Sequence, residues 1–209
     1  MIVQGTPEWF AARLGKVTAS RVSDVIAKTK TGWGASRANY MAQIIAERLT
    51  QATADSYSNA AMQWGTDNEP LARAAYEFFT GADVAEVGFV DHPTIAMAGA
   101  SPDGLIGEDG LIEIKCPNTA THIDTLLEGK VPEKYRTQML WQMACTGRKW
   151  CDFASFDPRM PESMRLWTAR VERDDKRIAE LEEMVSAFLS ELDGKLAALV
   201  EMYEQEKAA

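Results

Sequence analysis

The chain has 209 residues, 46% of them hydrophobic and 25% charged, which suits a globular protein with a sizeable core and excludes a disordered tail or a collagen-like fibre. No run of about 18 apolar residues occurs, and residues 1–8 have neither the basic nor the apolar region of a secretory signal, so a soluble, cytoplasmic protein without a membrane partner is expected. Three cysteines without C-x-x-C spacing and two histidines leave no zinc cluster; Cys116, Cys145 and Cys151 are expected as reduced, buried thiols. The net charge of −9 argues against a nucleic-acid partner, but it is unevenly spread. Residues 1–50 carry seven basic and three acidic side chains, and residues 171–209 carry five and eleven. From charge alone the basic excess is as readily a random fluctuation over a solvated surface as a DNA-facing one formed by Arg13, Lys16, Arg21, Lys28, Lys30 and Arg37.

In chain order, Thr6-Pro7-Glu8 reads as an N-cap, a proline at the first helical position and an acidic first turn, and Gly15 as the residue past the end, giving a helix over about 7–14. Thr18 or Ser20 is expected to cap a second helix through Ile26, and residues 29–34 to form a polar loop. Ser36 is expected to cap a helix over about 37–49 with Tyr40, Met41, Ile44, Ile45 and Leu49 on one face. A longer helix spans about 59–80, with a core face of Met62, Leu71, Ala75, Phe78 and Phe79 and a break or restart near Pro70. The periodicity then switches: residues 84–90, 95–100 and 111–115 predict three strands of an antiparallel meander. Helices follow at about 119–128 and 132–146, strands at about 150–156 and 164–171, and a long amphipathic helix from Asp174. These elements make one α+β domain over residues 1–209.

The informative stretch is Ser101-Pro102-Asp103-Gly104-Leu105 followed by Gly110-Leu111-Ile112-Glu113-Ile114-Lys115-Cys116-Pro117. Alternation along a strand puts Glu113 and Lys115 on one face of an otherwise apolar segment. Buried charges need compensation. A short hairpin brings Asp103 beside Glu113, and two converging carboxylates are relieved by a hard divalent cation such as Mg²⁺, with the Ile114 carbonyl as a third oxygen ligand. Lys115 beside such an ion can position water or neutralise charge on a phosphate, which is phosphodiester chemistry. The alternative is a surface hairpin with Glu113 and Lys115 paired in solvent. The absence of G-x-x-x-x-G-K-[ST] means that ATP is not the fuel.

These residues, preceded by Arg13 to Ser20 (Arg-Leu-Gly-x-x-Thr-Ala-Ser) and Trp64-Gly65-x-x-x-Glu69, and followed by Tyr135-Arg136-Thr137-Gln138, residues 156–160 and Glu172-Arg173-Asp174, resemble the phage lambda exonuclease group, the YqaJ-type viral recombinases. The resemblance runs over nearly the whole chain. It implies a restriction-endonuclease-like core, with a mixed central sheet flanked by helices and a long C-terminal helix. It implies ATP-independent 5′→3′ digestion of one strand from linear double-stranded DNA ends by two Mg²⁺ ions, with Mn²⁺ as a substitute. It also implies a homotrimeric ring, a phage-type single-strand annealing protein as partner, and action in the cytoplasm of a bacterial host. Asp103 and Glu113 become the bridging carboxylates, Ile114 a carbonyl ligand, Lys115 the catalytic lysine, Glu69 a ligand of the second ion, and Gln138 a neighbour of the attacking water. Arg13 and Ser20 match positions that grip a 5′-terminal phosphate, and Met62 one that wedges between base pairs. Each of the last five also has an ordinary structural reading: Glu69 as partner of Arg73, Gln138 as an exposed helix residue, Arg13 as a helix-end cation, Ser20 as a cap and Met62 as core. Thr121 stands where some relatives carry a phosphate-binding arginine. A structure-specific or restriction-type endonuclease, and a non-catalytic DNA-binding scaffold, are the competing readings.

Overall fold

The structure, a computed structural model, describes residues 2–53 and 60–207, except the side chains of Met62 and of residues 204–207. Helix α1 (Pro7–Arg13) begins where the Thr6 hydroxyl accepts a hydrogen bond from the Trp9 N–H, and Gly15, at φ 67°, turns the chain out of it. Strand β1 (Val17–Thr18) leads through a 3-10 turn (Ala19–Arg21) into the short α2 (Val22–Val25). Neither Thr18 nor Ser20 caps a helix through its side chain: Ser20 lies inside the 3-10 turn. The expected polar loop contains a small hairpin, β2 (Lys28–Thr29) and β3 (Gly32–Trp33). Helix α3 (Ala35–Thr50) is capped by Gly34 without a side-chain bond, so Ser36 is one residue inside it. Tyr40, Met41 and Ile44 are buried as expected, whereas Leu49 is exposed.

Helix α4 (Ala60–Thr80) runs unbroken through Pro70. Pro70 lies on the side of the helix that borders a cleft, and burial of Ala72 and Tyr76 carries the helix past the missing N–H. The expected core face is corrected. Leu71, Phe78 and Phe79 are exposed, and Asn68, Ala72 and Tyr76 face inward.

The meander is also corrected. Residues 84–90 split into β4 (Val84–Ala85) and β5 (Val90–Asp91), which join different sheets, and β6 (Ala98–Ala100) is followed by β7 (Gly104–Ile106) and β8 (Gly110–Lys115). Gly88, between β4 and β5, passes so close to the Ile2 carbonyl that any side chain there would overlap it. Helices α5 (Thr119–Glu128) and α6 (Glu133–Thr146), strands β9 (Trp150–Phe156) and β10 (Leu166–Glu172), and helix α7 (Asp175–Lys207) complete the order, close to expectation.

Among the described residues, the central sheet has the order β10-β9-β8-β7-β4, parallel only between β8 and β9, and a smaller sheet has the order β1-β6-β5. The mixed sheet sits between two helical layers, as the restriction-endonuclease-like expectation requires. On one face Leu111 and Phe153 pack with α2, α3, α6 and α7; on the other Ile112 and Ile114 pack with Ala72 and Tyr76 of α4. Because side chains alternate along β8, Leu111, Glu113 and Lys115 share the α6 side. No helix among the described residues is long and apolar enough to cross a membrane.

Candidate active site

Strand β8 is central, and its end brings the charged candidates together. Gly104 pairs with Ile112, so β7 leaves the ladder just before β8 ends. Asp103 takes over there: its Oδ2 accepts a 2.6 Å hydrogen bond from the Ile114 N–H. Since the N–H and C=O of a strand residue project from the same edge, the Ile114 carbonyl lies on the Asp103 side.

Glu113 is fully buried, and both oxygens of its carboxylate are held. Oε1 is paired with Lys115 Nζ and accepts from Gln138 Nε2 at 2.6 Å; Oε2 accepts from Gln142 Nε2 at 2.6 Å. Gln138 and Gln142 lie one turn apart on α6, which places both amides over one carboxylate. The Lys115 ammonium is also 5.5 Å from the centre of the Tyr135 ring. Burial opposes its charge, but Glu113 and Asp103 outweigh burial and push its pKa up, so Lys115 is a cation here. Burial, then the charge of Glu113, raises the Asp103 pKa well above the carboxylate range, with Lys115 opposing. Glu69 on α4 is raised by burial, with Arg73 and Lys115 opposing, and Glu113 among the groups that raise it.

Arg73 ties the acidic residues together. Its guanidinium binds the Glu69 carboxylate at 2.9 Å, the Glu86 carboxylate, and the Asp103 main-chain carbonyl at 3.3 Å. Glu69 thus fills its ordinary structural role while standing within electrostatic reach of Lys115 and Glu113. Nearby, Cys116 is buried and its thiol is pushed up to about 12, first by burial and then by Glu69. All three cysteines are free and buried, as expected.

A cleft of about 840 Å³ brings together Arg13, Ser20, Glu69, Arg73 and Asp103. Arg13, in the last turn of α1, stacks its guanidinium 3.9 Å from the centre of the Trp9 ring, and Trp9 is fixed by a 2.9 Å bond from its indole N–H to Ser101. Ser20 is exposed at the cleft. The basic N-terminal segment only partly serves the cleft. Lys16 and Arg21 line it but are paired with Asp91 and Asp24. Arg37 is buried and paired with Glu191 of α7, and Lys28 lies over the Trp33 ring in the small hairpin. Met62 is in the first turn of α4, with its side chain outside the described residues. Thr121 is an exposed residue in the first turn of α5, where its N–H is capped by Asn118.

Among the described residues no three His, Cys, Asp or Glu side chains converge as a ready-made metal cluster. The oxygens that could hold a cation are those of Asp103, Glu113 and the Ile114 carbonyl, with Glu69 drawn aside by Arg73. These hard oxygens fit a divalent cation such as Mg²⁺: burial and then the charge of Glu113 raise the Asp103 pKa, and a cation bound there would offset both. Sequence reasoning missed Gln142 and gave Arg73 only a passive part. Gln142 left no signal, because α6 is buried on several sides and has no polar stripe to single it out.

A mixed sheet whose central strand ends in Glu-x-Lys, with an aspartate held at its edge, is the build of the restriction-endonuclease-like nucleases. The chain belongs to the YqaJ-like viral recombinase domain family, whose profile matches residues 8–149. Among solved structures it is similar to LHK-Exo, an alkaline exonuclease from Laribacter hongkongensis, at 58% identity and a TM-score of 0.89, covering 98% of this chain and 100% of that one. LHK-Exo in complex with dAMP gives a TM-score of 0.90 over the same shares. A phage related exonuclease from Haemophilus somnus 129PT, 17% identical, shares the fold at a TM-score of 0.73 over 88% of this chain and 96% of its own. No curated protein matches.

Proposed function

We propose that residues 1–209 form one nuclease unit, an ATP-independent exonuclease that digests one strand of linear double-stranded DNA from its 5′ end and leaves a 3′ single strand for recombination by annealing. The observation that carries this reading is Asp103, which lines a cleft together with Arg13 and Ser20 and is hydrogen-bonded to the end of β8, where Glu113 and Lys115 are paired behind it. The dAMP held by LHK-Exo supports it, since a mononucleotide is what an exonuclease releases.

Asp103, Glu113 and the Ile114 carbonyl would hold one Mg²⁺, and Glu69, on leaving Arg73, would help hold a second, with Mn²⁺ able to substitute. Bound there, these ions supply Lewis acidity to the phosphate and lower the pKa of water. The chain's own groups do the positioning. Arg13 grips the terminal 5′-phosphate with a forked guanidinium, and Ser20 adds a hydroxyl donor. Lys115 places a fixed positive charge where negative charge develops on the scissile phosphate. Gln138, its amide nitrogen engaged by Glu113, offers its amide oxygen to the attacking water.

The same reading includes a homotrimeric ring that keeps duplex threaded through repeated cuts, and a single-strand annealing protein as its partner. The exposed Leu71, Phe78 and Phe79 of α4 offer such a ring apolar surface to bury. The test offers linear 5′-phosphorylated duplex and covalently closed circular DNA with Mg²⁺. Digestion of the linear form alone supports the proposal; equal cutting of the circle overturns it in favour of an endonuclease.

A further inference from the structure

Gln142 has no part in the reading above, yet it is the hydrogen-bond donor that the fold supplies to Glu113 Oε2. It has no exposed surface, and a buried primary amide is costly unless both ends are used. Both ends have partners. Its nitrogen faces a carboxylate, which only accepts, and its oxygen faces the Cys151 thiol at 3.9 Å, a weak donor. That chemistry fixes the orientation of the amide without ambiguity between oxygen and nitrogen.

The two glutamines divide the carboxylate. Gln138, half-buried, and Lys115 both address Oε1, whereas Gln142 addresses Oε2 from the interior. A carboxylate held at one oxygen can rotate about its last torsion; held at both, its plane is set.

We infer that Gln142 is a positioning residue that locks the carboxylate plane of Glu113 for cation binding, an inference that rests on Glu113 being a cation ligand as proposed above. Groups that orient a metal ligand from behind typically change metal affinity about tenfold to a hundredfold when removed. Gln142→Met keeps the length and most of the volume of the side chain but deletes the donor. Gln142→Asn keeps an amide but is too short to reach Oε2 from the same backbone position.

The experiment titrates MnCl₂ alone into the folded full-length protein by calorimetry, without DNA, and records the thermal melt of each variant. Gln142→Met is expected to weaken Mn²⁺ binding about tenfold or more, and Gln142→Asn to weaken it measurably, while DNA-end binding in EDTA is unchanged. If Gln142→Met does not fold, Gln142→Asn carries the test. Wild-type Mn²⁺ affinity in the folded variant overturns the inference. Glu113→Gln separates the two levels: if it abolishes Mn²⁺ binding while the Gln142 variants bind normally, only the positioning role fails. If Glu113→Gln also binds normally, the cation-ligand reading fails with it.

Discussion

Gly104→Ala tests whether the placement of Asp103, the proposed cation ligand, depends on how closely β4 and β7 pack. Gly104 follows Asp103 directly and pairs with Ile112. A methyl group built on its Cα would sit inside the van der Waals surface of Val84 Cγ1, 3.0 Å from Ile112 Cγ2 and 3.6 Å from the Ala85 carbonyl oxygen. Carbon atoms prefer separations of about 3.5–4.0 Å, so Ile112 is too near by about half an ångström and Val84 by more than one. Ile112 is fully buried in the central strand and cannot retreat. Val84 is half-buried in a two-residue edge strand and can, or β7 must tilt and carry Asp103 with it. Overpacking of this kind costs about 1–3 kcal/mol, and a shift of about an ångström in Asp103 costs about a hundredfold in rate. Val84→Ala deletes the offending methyl, so the double variant should recover most of the lost activity even though Val84→Ala alone removes some packing. The assays are urea denaturation and single-turnover digestion of a linear duplex. Full activity and stability in Gly104→Ala, or no recovery in the double variant, would refute the packing argument.

Lys115→Ala should lower the cleavage rate by about a hundredfold to ten-thousandfold while leaving DNA binding in EDTA intact, as checked by gel shift beside single-turnover kinetics; retained cleavage would contradict its role. Arg13→Ala should reduce the preference for a 5′-phosphate over a 5′-hydroxyl end by about 10- to 100-fold, the worth of a charge-assisted hydrogen bond, in competition digests of the two ends. Asp157 predicts a pH dependence of stability. Burial opposes its charge, but hydrogen bonds from Arg159 and Thr119 outweigh burial and lower its pKa from 3.8 to about 2. A lowered carboxylate contributes stability that is present above the unfolded value and lost as pH falls through the folded one. The contribution is about 2 kcal/mol before screening, and about 1 kcal/mol once the half-exposed Arg159 is allowed for. The stability gap between wild type and Asp157→Asn in urea melts should therefore be constant above pH ~4 and close towards pH ~2; a gap indifferent to pH would rule this out.

The parts of the fold legible in the sequence are those set by local chemistry. Thr6 and Gly15 bracket α1, because caps and left-handed termini are properties of a few adjacent residues. Of the apolar residues at helical spacing on α7, Ile178, Leu181, Val185, Phe188 and Leu192 are buried, whereas Leu196 is half-buried and Leu199 is exposed. What was not legible depends on partners distant in sequence. The most apolar face of α4 is exposed, and the buried one is built on Ala72 and Tyr76, where Tyr76 donates 2.6 Å to Asp152 of β9. Periodicity finds a face but not the surface that covers it. The split of residues 84–90 into two sheets is tied to the approach of Gly88 to Ile2, more than eighty residues away in sequence.

The site divides in the same way. Alternation along β8 was enough to put Glu113 beside Lys115, and the hairpin to bring Asp103 next to Glu113, but not to show that Asp103 bonds the Ile114 N–H. The placement of Gln138 against Glu113, rather than in solvent, needed α6 to cross that face of the sheet. The net charge of −9 likewise gave little guidance, since Arg37 is spent on Glu191 while Arg13 is turned to the cleft.

The most direct test of the central claim is single-turnover release of label from a linear duplex labelled at either the 5′ or the 3′ end, with Mg²⁺ or EDTA, by wild type and Glu113→Gln. The account predicts immediate release of a 5′-labelled mononucleotide by wild type with Mg²⁺ alone, and none by Glu113→Gln. Release first from the 3′ end, release in EDTA, or full activity in Glu113→Gln would contradict it.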